Sequence, residues 1–266
     1  METITNNCTI NIATANGTGS QSANLIILQT LFDMGVNVSG KNFFPSNISG
    51  LPTWYVIRVS EKGYQAPGDG VNIQILMNKA TWMKDLESLE PGSVIIYNSD
   101  VKLPVERDDC ILYPIPMTKM ARTIHPKLAR MISNVIYVGV LAEILNLDQE
   151  IIELAVSKQF KGKDSAIQLN LNAANLGKEY FQENFKKQDP YVIEDRGKDD
   201  DAFLIEGNEA IALGAIYGGV SLLAWYPITP SSSVAESIIE WVPKLRLDKD
   251  GKSTCAIIQA EDEIAA

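Results

Sequence analysis

CTINIATA at residues 8–15, NGTGS at 16–20 and SANLIILQTLFDM at 22–34 decide the fold class. The first run is short, apolar and rich in β-branched residues, which suits a strand. The second holds Gly17 and Gly19, and glycine supplies the backbone freedom that a tight turn needs. In the third, apolar residues return at helical spacing, and Gly35 follows where a helix C-terminus favours glycine. A strand, a glycine turn and a helix in succession predict an α/β fold. Further extended segments are expected at Thr53–Ser60 (TWYVIRVS), Val71–Met77 (VNIQILM), Ser93–Asn98 (SVIIYN) and Cys110–Ile115 (CILYPI), with a helix over Ala80–Leu89. They give five or six strands in a mostly open sheet with helices on both faces.

From Met117 to Lys187 the pattern turns helical, with apolar spacing over Lys127–Leu145, Asp148 as the N-cap of the next helix, and a further helix over Lys163–Lys187. QDPYVIEDRGKDDDA, residues 188–202, is polar and charged without helical periodicity, and reads as a linker. The expected organisation is a first domain over 1–190, a linker over 191–202 with the boundary near 195, and a second domain from 203. FLIEGNEAIALGAIYGGV, residues 203–220, predicts a glycine-interrupted helix whose Gly207, Ala210, Gly214 and Gly218 let another backbone come close. A strand over Ser221–Ile228, a helix over Ser231–Trp241, a charged turn over Leu245–Thr254 and a strand over Cys255–Ala260 follow. Glu261–Ala266 reads as the first helical turn, with acids at its positive end. Two strands make a poor sheet, so the remaining strands are expected beyond residue 266, in a longer chain.

A length of 266 residues suits about two domains, and 45% hydrophobic residues allow each a core. A net charge of −10 argues against unaided binding to nucleic acid or an anionic membrane. Cys8, Cys110 and Cys255 are far apart and lack C-x-x-C spacing, so neither disulfides nor a metal or cluster site is expected from this chain alone. The single histidine, His125, precedes Pro126 and is read as structural. METITNNCTINIATANG lacks the basic and apolar regions of a signal peptide, and no run is read as reaching the length of a membrane helix. A cytoplasmic protein is expected.

The densest chemistry lies in WYPITPSSS, residues 225–233. Two prolines stiffen the strand exit. Thr229 stands where an N-cap would, with Pro230 at the first helical position. In a second reading Ser233 is the N-cap and Glu236 completes a capping box. The gathered hydroxyls at a helix N-terminus serve either as caps or as a site for a carboxylate or phosphate.

WYPITPSS resembles the YPITP motif of the pyruvate and 2-oxoglutarate ferredoxin oxidoreductases, which lies in the pyrimidine-binding domain of their α subunit. Glu206–Ala215 (EGNEAIALGA) is similar to the GNEAIALGA-like run that precedes that motif. The resemblance implies that Thr229 contacts the 2-oxoacid near its carboxylate, with Tyr226, Ser231 and Ser232 in the same substrate-binding set. It also places a glutamate after the next strand, where it hydrogen-bonds the aminopyrimidine ring of thiamine diphosphate and promotes loss of the thiazolium proton. Glu261, Asp262 and Glu263 stand there. The spacing to Ile264-Ala-Ala266 favours Glu263 as the catalytic and cofactor-binding residue, with Glu261 as the alternative register. Asn47–Ser60 (NISGLPTWYVIRVS) is like a segment of the γ domain that some members fuse in front of the α subunit, where a glycine turn feeds a strand ending in RVS.

The implied fold is a Rossmann-like γ domain followed by the start of a thiamine-diphosphate pyrimidine-binding α/β domain. The implied activity is coenzyme A-dependent oxidative decarboxylation of a 2-oxoacid, 2-oxoglutarate rather than pyruvate, with electrons passed to ferredoxin. A β subunit is implied to hold the diphosphate, Mg²⁺ and a [4Fe–4S] cluster. Two other readings stay open. One is a nucleotide-dependent oxidoreductase using the Gly17–Gly19 turn, for which a lone G-x-G is thin support. The other is an assembly module without catalysis of its own.

Overall fold

The computed structural model describes residues 2–44, 51–68 and 70–266. It divides into two compact units, Met1–Asp200 and Asp201–Ala266.

The first unit runs β1 (Ile4–Thr5), β2 (Asn7–Ala15), α1 (Ser20–Asp33), β3 (Val38–Phe43), β4 (Pro52–Ser60), β5 (Ile73–Leu76), α2 (Trp82–Glu87), β6 (Val94–Asn98), β7 (Ile111–Ile115), α3 (Met117–Ile124), α4 (Ala129–Leu145), α5 (Gln149–Gln159), α6 (Asp164–Asn184) and β8 (Tyr191–Val192). A six-stranded sheet has the order β3-β4-β2-β5-β6-β7. Strands β2, β5, β6 and β7 are parallel, while β4 and β3 extend the sheet antiparallel. The edge strand β3 has no counterpart in the sequence reading. VSGKNF carries glycine, lysine and asparagine, which are poor strand formers, and it forms because β4 offers a free edge. The glycine turn expected before β4 includes Gly50, which lies outside the described residues.

Alternation along the strands sends two sets of side chains to opposite faces. Ile12, Ile57, Ile75 and Ile96 are fully buried on one face. Above that face α1 packs on β2 and β3, and Tyr113 of β7 meets Phe181 of α6 edge-on at 4.8 Å. On the other face, Leu86 of α2 and Leu89 just beyond it cluster with Ala13, Leu76 and Ile95. Helices therefore lie on both faces, unequally. Helix α4 sits inside the helical layer, where only Arg130, Met131 and Glu143 escape burial. Pro126–Leu145 is long and apolar enough to cross a membrane, contrary to the sequence reading, yet 78% of its most apolar 18-residue window is buried inside the unit. Asp148 caps α5, accepting from the N–H groups of Glu150 and Ile151.

Gln188–Gly197, read from the sequence as part of a linker, is tied to the first unit. Tyr191–Val192 pairs in parallel with Ile4–Thr5, and Ile193 is buried, its N–H donating to Leu145 O at 2.8 Å. Asp189 is buried beside Lys187 and accepts from the Tyr113 hydroxyl. Arg196 N donates to Met34 O. The apolar anchor Tyr191-Val-Ile193 was hidden in a run dominated by charge.

The second unit holds α7 (Gly207–Tyr217), β9 (Leu222–Trp225), α8 (Ser232–Leu245) and β10 (Ala256–Gln259). Strands β9 and β10 are parallel, with Leu222 opposite Ala256 and Trp225 opposite Gln259, so β9-α8-β10 is one βαβ unit. Its small core is Ala212, Ile238, Val242 and Cys255. The charged turn closes through Asp248, whose carboxylate accepts from Asp250 N and Lys252 N. Residues 261–266 form a turn in which Asp262 Oδ1 accepts from Ala265 N at 2.8 Å.

Candidate active site

Strand β9 delivers its chain into Tyr226-Pro-Ile-Thr-Pro-Ser231 before α8 begins at Ser232. Neither Pro227 nor Pro230 has an N–H, so the loop is tied by other groups. Ile228 O gathers three donors: Ser231 Oγ at 2.9 Å, Ser232 Oγ at 3.1 Å and Ser232 N at 3.0 Å. This turn displaces the helix start by two residues from the sequence reading, so Thr229 is not an N-cap and Pro230 is not the first helical residue. No Ser233–Glu236 capping box forms. Ser233 Oγ instead accepts from Asn208 Nδ2 at 2.7 Å and approaches Pro230 O at 3.3 Å. The capping box of this unit is on α7, where Glu206 N donates to the Glu209 carboxylate at 3.2 Å.

These bonds divide the motif's hydroxyls. A serine hydroxyl has one proton to donate. The protons of Ser231 and Ser232 go to Ile228 O. The Thr229 side chain is exposed and makes no hydrogen bond among the described residues. Thr229 is therefore the one aliphatic hydroxyl of the motif with a donor free for an incoming carboxylate, and the Trp225 indole N–H and the Tyr226 hydroxyl are likewise without a partner among the described residues.

Beside this loop lies an open recess of about 370 Å³. Its walls include Leu223, Trp225, Tyr226, Ser231, Val234 and Glu263. Glu263 is its one charged lining residue, brought there by the turn after β10. Glu261 does not line it, and Asp262 is occupied with Ala265 N. The structure thus brings Tyr226, Ser231 and Glu263 together, and leaves Thr229 and Ser232 outside the recess wall. Glu263 is solvent-exposed here. An apolar wall with a single carboxylate suits a flat aromatic ring carrying a basic nitrogen. Asn208 escaped the sequence reading: it stood inside the EGNEAIALGA match, but nothing in a linear string shows that its amide reaches residues 230 and 233.

The turn proposed for nucleotides is closed by its own chain. Gly17 and Gly19 have φ of 78° and 79°, Thr18 Oγ1 donates to Ala15 O, and Asn134 Nδ2 holds Thr18 O at 2.7 Å. The Met131 side chain lies 3.5 Å from where a Cβ on Gly19 would be. Asp33, the last residue of α1, is paired with Lys158 and Lys198. His125 Nδ1 accepts from Leu128 N, a local structural role. All three cysteines are free, and burial pushes the Cys8 thiol up to about 12, so it stays protonated. Among the described residues no group of three or more His, Cys, Asp or Glu is placed to hold a metal.

The profile of the pyruvate ferredoxin/flavodoxin oxidoreductase family matches residues 9–180, and that of its thiamine diphosphate-binding domain matches residues 213–266. The chain belongs to this family of oxidoreductases. It is 24% identical over 302 residues to 2-oxoacid:ferredoxin oxidoreductase 2, subunit alpha, of Aeropyrum pernix, covering 94% of this chain and 46% of that protein. The 2-oxoglutarate synthase subunit KorA of Archaeoglobus fulgidus is 46% identical over 63 residues, 24% of this chain and 16% of that one. Among solved structures, the 2-oxoglutarate:ferredoxin oxidoreductase of Magnetococcus marinus, with 2-oxoglutarate, coenzyme A and succinyl-CoA bound, superposes with a TM-score of 0.84 at 27% identity, over 98% of this chain and 44% of that one. The chain spans less than half the length of these relatives.

Proposed function

We propose that this chain is the front part of the α subunit of a 2-oxoacid:ferredoxin oxidoreductase that decarboxylates 2-oxoglutarate in preference to pyruvate, forms the acyl-coenzyme A and passes electrons to ferredoxin. Residues 1–190 are its γ domain, 191–202 the connection, and 203–266 the opening of the pyrimidine-binding domain. The observation that carries the reading is the recess beside the Tyr226–Ser232 loop, with Glu263 as its lone carboxylate. The preference for 2-oxoglutarate is supported by the A. fulgidus and M. marinus relatives.

In this reading thiamine diphosphate supplies the electron sink for decarboxylation. Glu263 holds a proton at the pyrimidine ring nitrogen, and Leu223, Trp225 and Val234 keep water from the ring's face. Thr229 donates its hydroxyl proton to the substrate carboxylate. Tyr226, with Ser231 and Ser232 behind the turn, shapes the substrate side. A β subunit in the same cytoplasmic complex carries the diphosphate, Mg²⁺ and the [4Fe–4S] cluster.

The test uses the intact complex and viologen reduction with 2-oxoglutarate and with pyruvate. Glu263→Gln keeps the side chain's size but cannot shuttle a proton, and acid–base contributions of this kind are worth about 10²–10⁴-fold in rate. A loss of at least ~100-fold is expected, with exchange of the cofactor's C2 proton, read by NMR, slowed in parallel. Asp262→Asn should do little. Normal exchange in Glu263→Gln with impaired exchange in Glu261→Gln moves the role by two residues, and normal behaviour of both removes it from this turn.

A further inference from the structure

We infer that Asn208, in the first turn of α7, is a positioning residue that fixes the Tyr226–Ser232 loop and thereby sets where the Thr229 hydroxyl points. The inference rests on the reading of Thr229 as a substrate contact. Asn208 Nδ2 donates to Pro230 O at 2.8 Å and to Ser233 Oγ at 2.7 Å. Pro230 O can only accept, so the amide nitrogen and not its oxygen faces the loop. Every other side-chain hydrogen bond of the loop is internal, from Ser231 and Ser232 to Ile228 O and from Ser233 to Pro230 O. Those bonds give the turn its shape but do not hold it to a neighbouring element. Asn208 does, and it acts on the residue next to Thr229.

The anchor itself is firm. The capping box between Glu206 and Glu209 fixes the start of α7 on either side of Asn208. Helix α7 packs on α8, with Ala212 buried against Ile238 and Val242. A side chain on this base with two donor protons, one for each acceptor, suits the two acceptors that the loop presents. Aspartate would set a carboxylate against a carbonyl oxygen. Alanine would leave Pro230 O and the Ser233 hydroxyl with only each other, and the loop without its side-chain tie to α7.

The experiment is steady-state kinetics on the intact complex for Asn208→Ala, Asn208→Asp, Thr229→Ala and the double variant Asn208→Ala/Thr229→Ala. Losing two hydrogen bonds that order a substrate loop should raise the KM for the 2-oxoacid about tenfold. The KM for coenzyme A and the thermal midpoint should move little, and Asn208→Asp should be worse than Asn208→Ala. A residue that acts through Thr229 has nothing left to position once that hydroxyl is gone. The double variant should therefore match Thr229→Ala alone. Should Asn208→Ala fail to assemble, Asn208→Ser keeps one donor and is judged by the same criteria. A wild-type 2-oxoacid KM in Asn208→Ala while Thr229→Ala is impaired overturns the inference and leaves the reading of the loop standing. Effects that multiply in the double variant, or a fall in thermal midpoint without change in KM, also overturn it. Normal kinetics in Thr229→Ala remove the reading of the loop first, and this inference with it.

Discussion

Gly139→Ala should destabilise the first unit by about 2 kcal/mol, although alanine is the better helix former. Helices α4 and α6 cross so closely that a Cβ on Gly139 would stand 1.7 Å from Ala174 O and 2.9 Å from Lys178 N. The contact is reciprocal, because a Cβ on Gly177 would stand 2.1 Å from Ile136 O. Ordinary carbon–oxygen contact needs a separation larger by about 1.5 Å. The obstructing atoms are backbone, so no rotamer change relieves them and the helices must move apart. Helix α4 is buried on nearly every side and cannot shift without disturbing α1, α3 and α6. Overpacking of a dense core costs about 1–3 kcal/mol, and the upper part of that range applies where backbone is struck. Replacing a helical glycine by alanine offsets about 0.5–1 kcal/mol. The net loss corresponds to a fall of roughly 4–8 °C in thermal midpoint for a unit of this size. In urea the midpoint should fall with the slope unchanged. Gly214→Ala in α7 is the control. No heavy atom among the described residues lies within 4 Å of its Cβ position, so it should gain about 0.5–1 kcal/mol. Equal stability of Gly139→Ala and the wild type, or shifts of the same sign in both variants, would refute the account of the seam.

The chain of residues 1–266 by itself should reduce no viologen with any 2-oxoacid, since the diphosphate, metal and cluster are assigned to a partner; turnover by the isolated chain would overturn that division. Two buried carboxylates should give stability opposite pH dependences, read from urea midpoints of their Asn variants. Burial pushes the Asp85 carboxyl above its usual range despite hydrogen bonds from Thr81 and Trp54, so its folded form holds the proton more tightly. The wild type should then lose stability relative to Asp85→Asn as pH rises from the unfolded value near ~4 through the raised folded one. Burial also acts upward on Asp33, but hydrogen bonds from Lys158 and Gln29 and the charges of Lys158 and Lys198 outweigh it and lower its pKa. Asp33→Asn should cost about 1 kcal/mol at pH 7, and that cost should fade as pH falls through the lowered folded value.

The parallel strands were legible because each is a short apolar run between turn residues, and because β2, the glycine turn and α1 follow one another without interruption. What stayed hidden shared a physical cause. Strand β3 contains few residues that favour strands, the β8 segment is a short Tyr-Val-Ile run inside a charged stretch, and both are held by pairing with a partner already in place. Pairing partners distant in sequence leave no periodic mark. Close approach of backbones was expected on α7, at Gly207, Gly214 and Gly218. The helix contacts that require glycine are instead at Gly139 and Gly177 of α4 and α6. A small residue permits close contact without saying which neighbour makes it.

The loop motif shows the same limit at the scale of single protons. WYPITPSSS announces four aliphatic hydroxyls, Thr229 and Ser231–Ser233, gathered near a helix start. Capping and anion binding were then competing uses of one group of residues. The folded loop separates them. Three serine hydroxyls are engaged in shaping or tethering the turn, and Thr229 retains an unshared donor. Sequence could supply the residue types. It could not say which proton was already spent, because that depends on Ile228 O turning back toward residues 231 and 232 and on Asn208 arriving from another helix. Substitutions in the motif should divide accordingly. Changes at Ser231 and Ser232 act first on the shape of the loop, and a change at Thr229 acts first on what the loop binds.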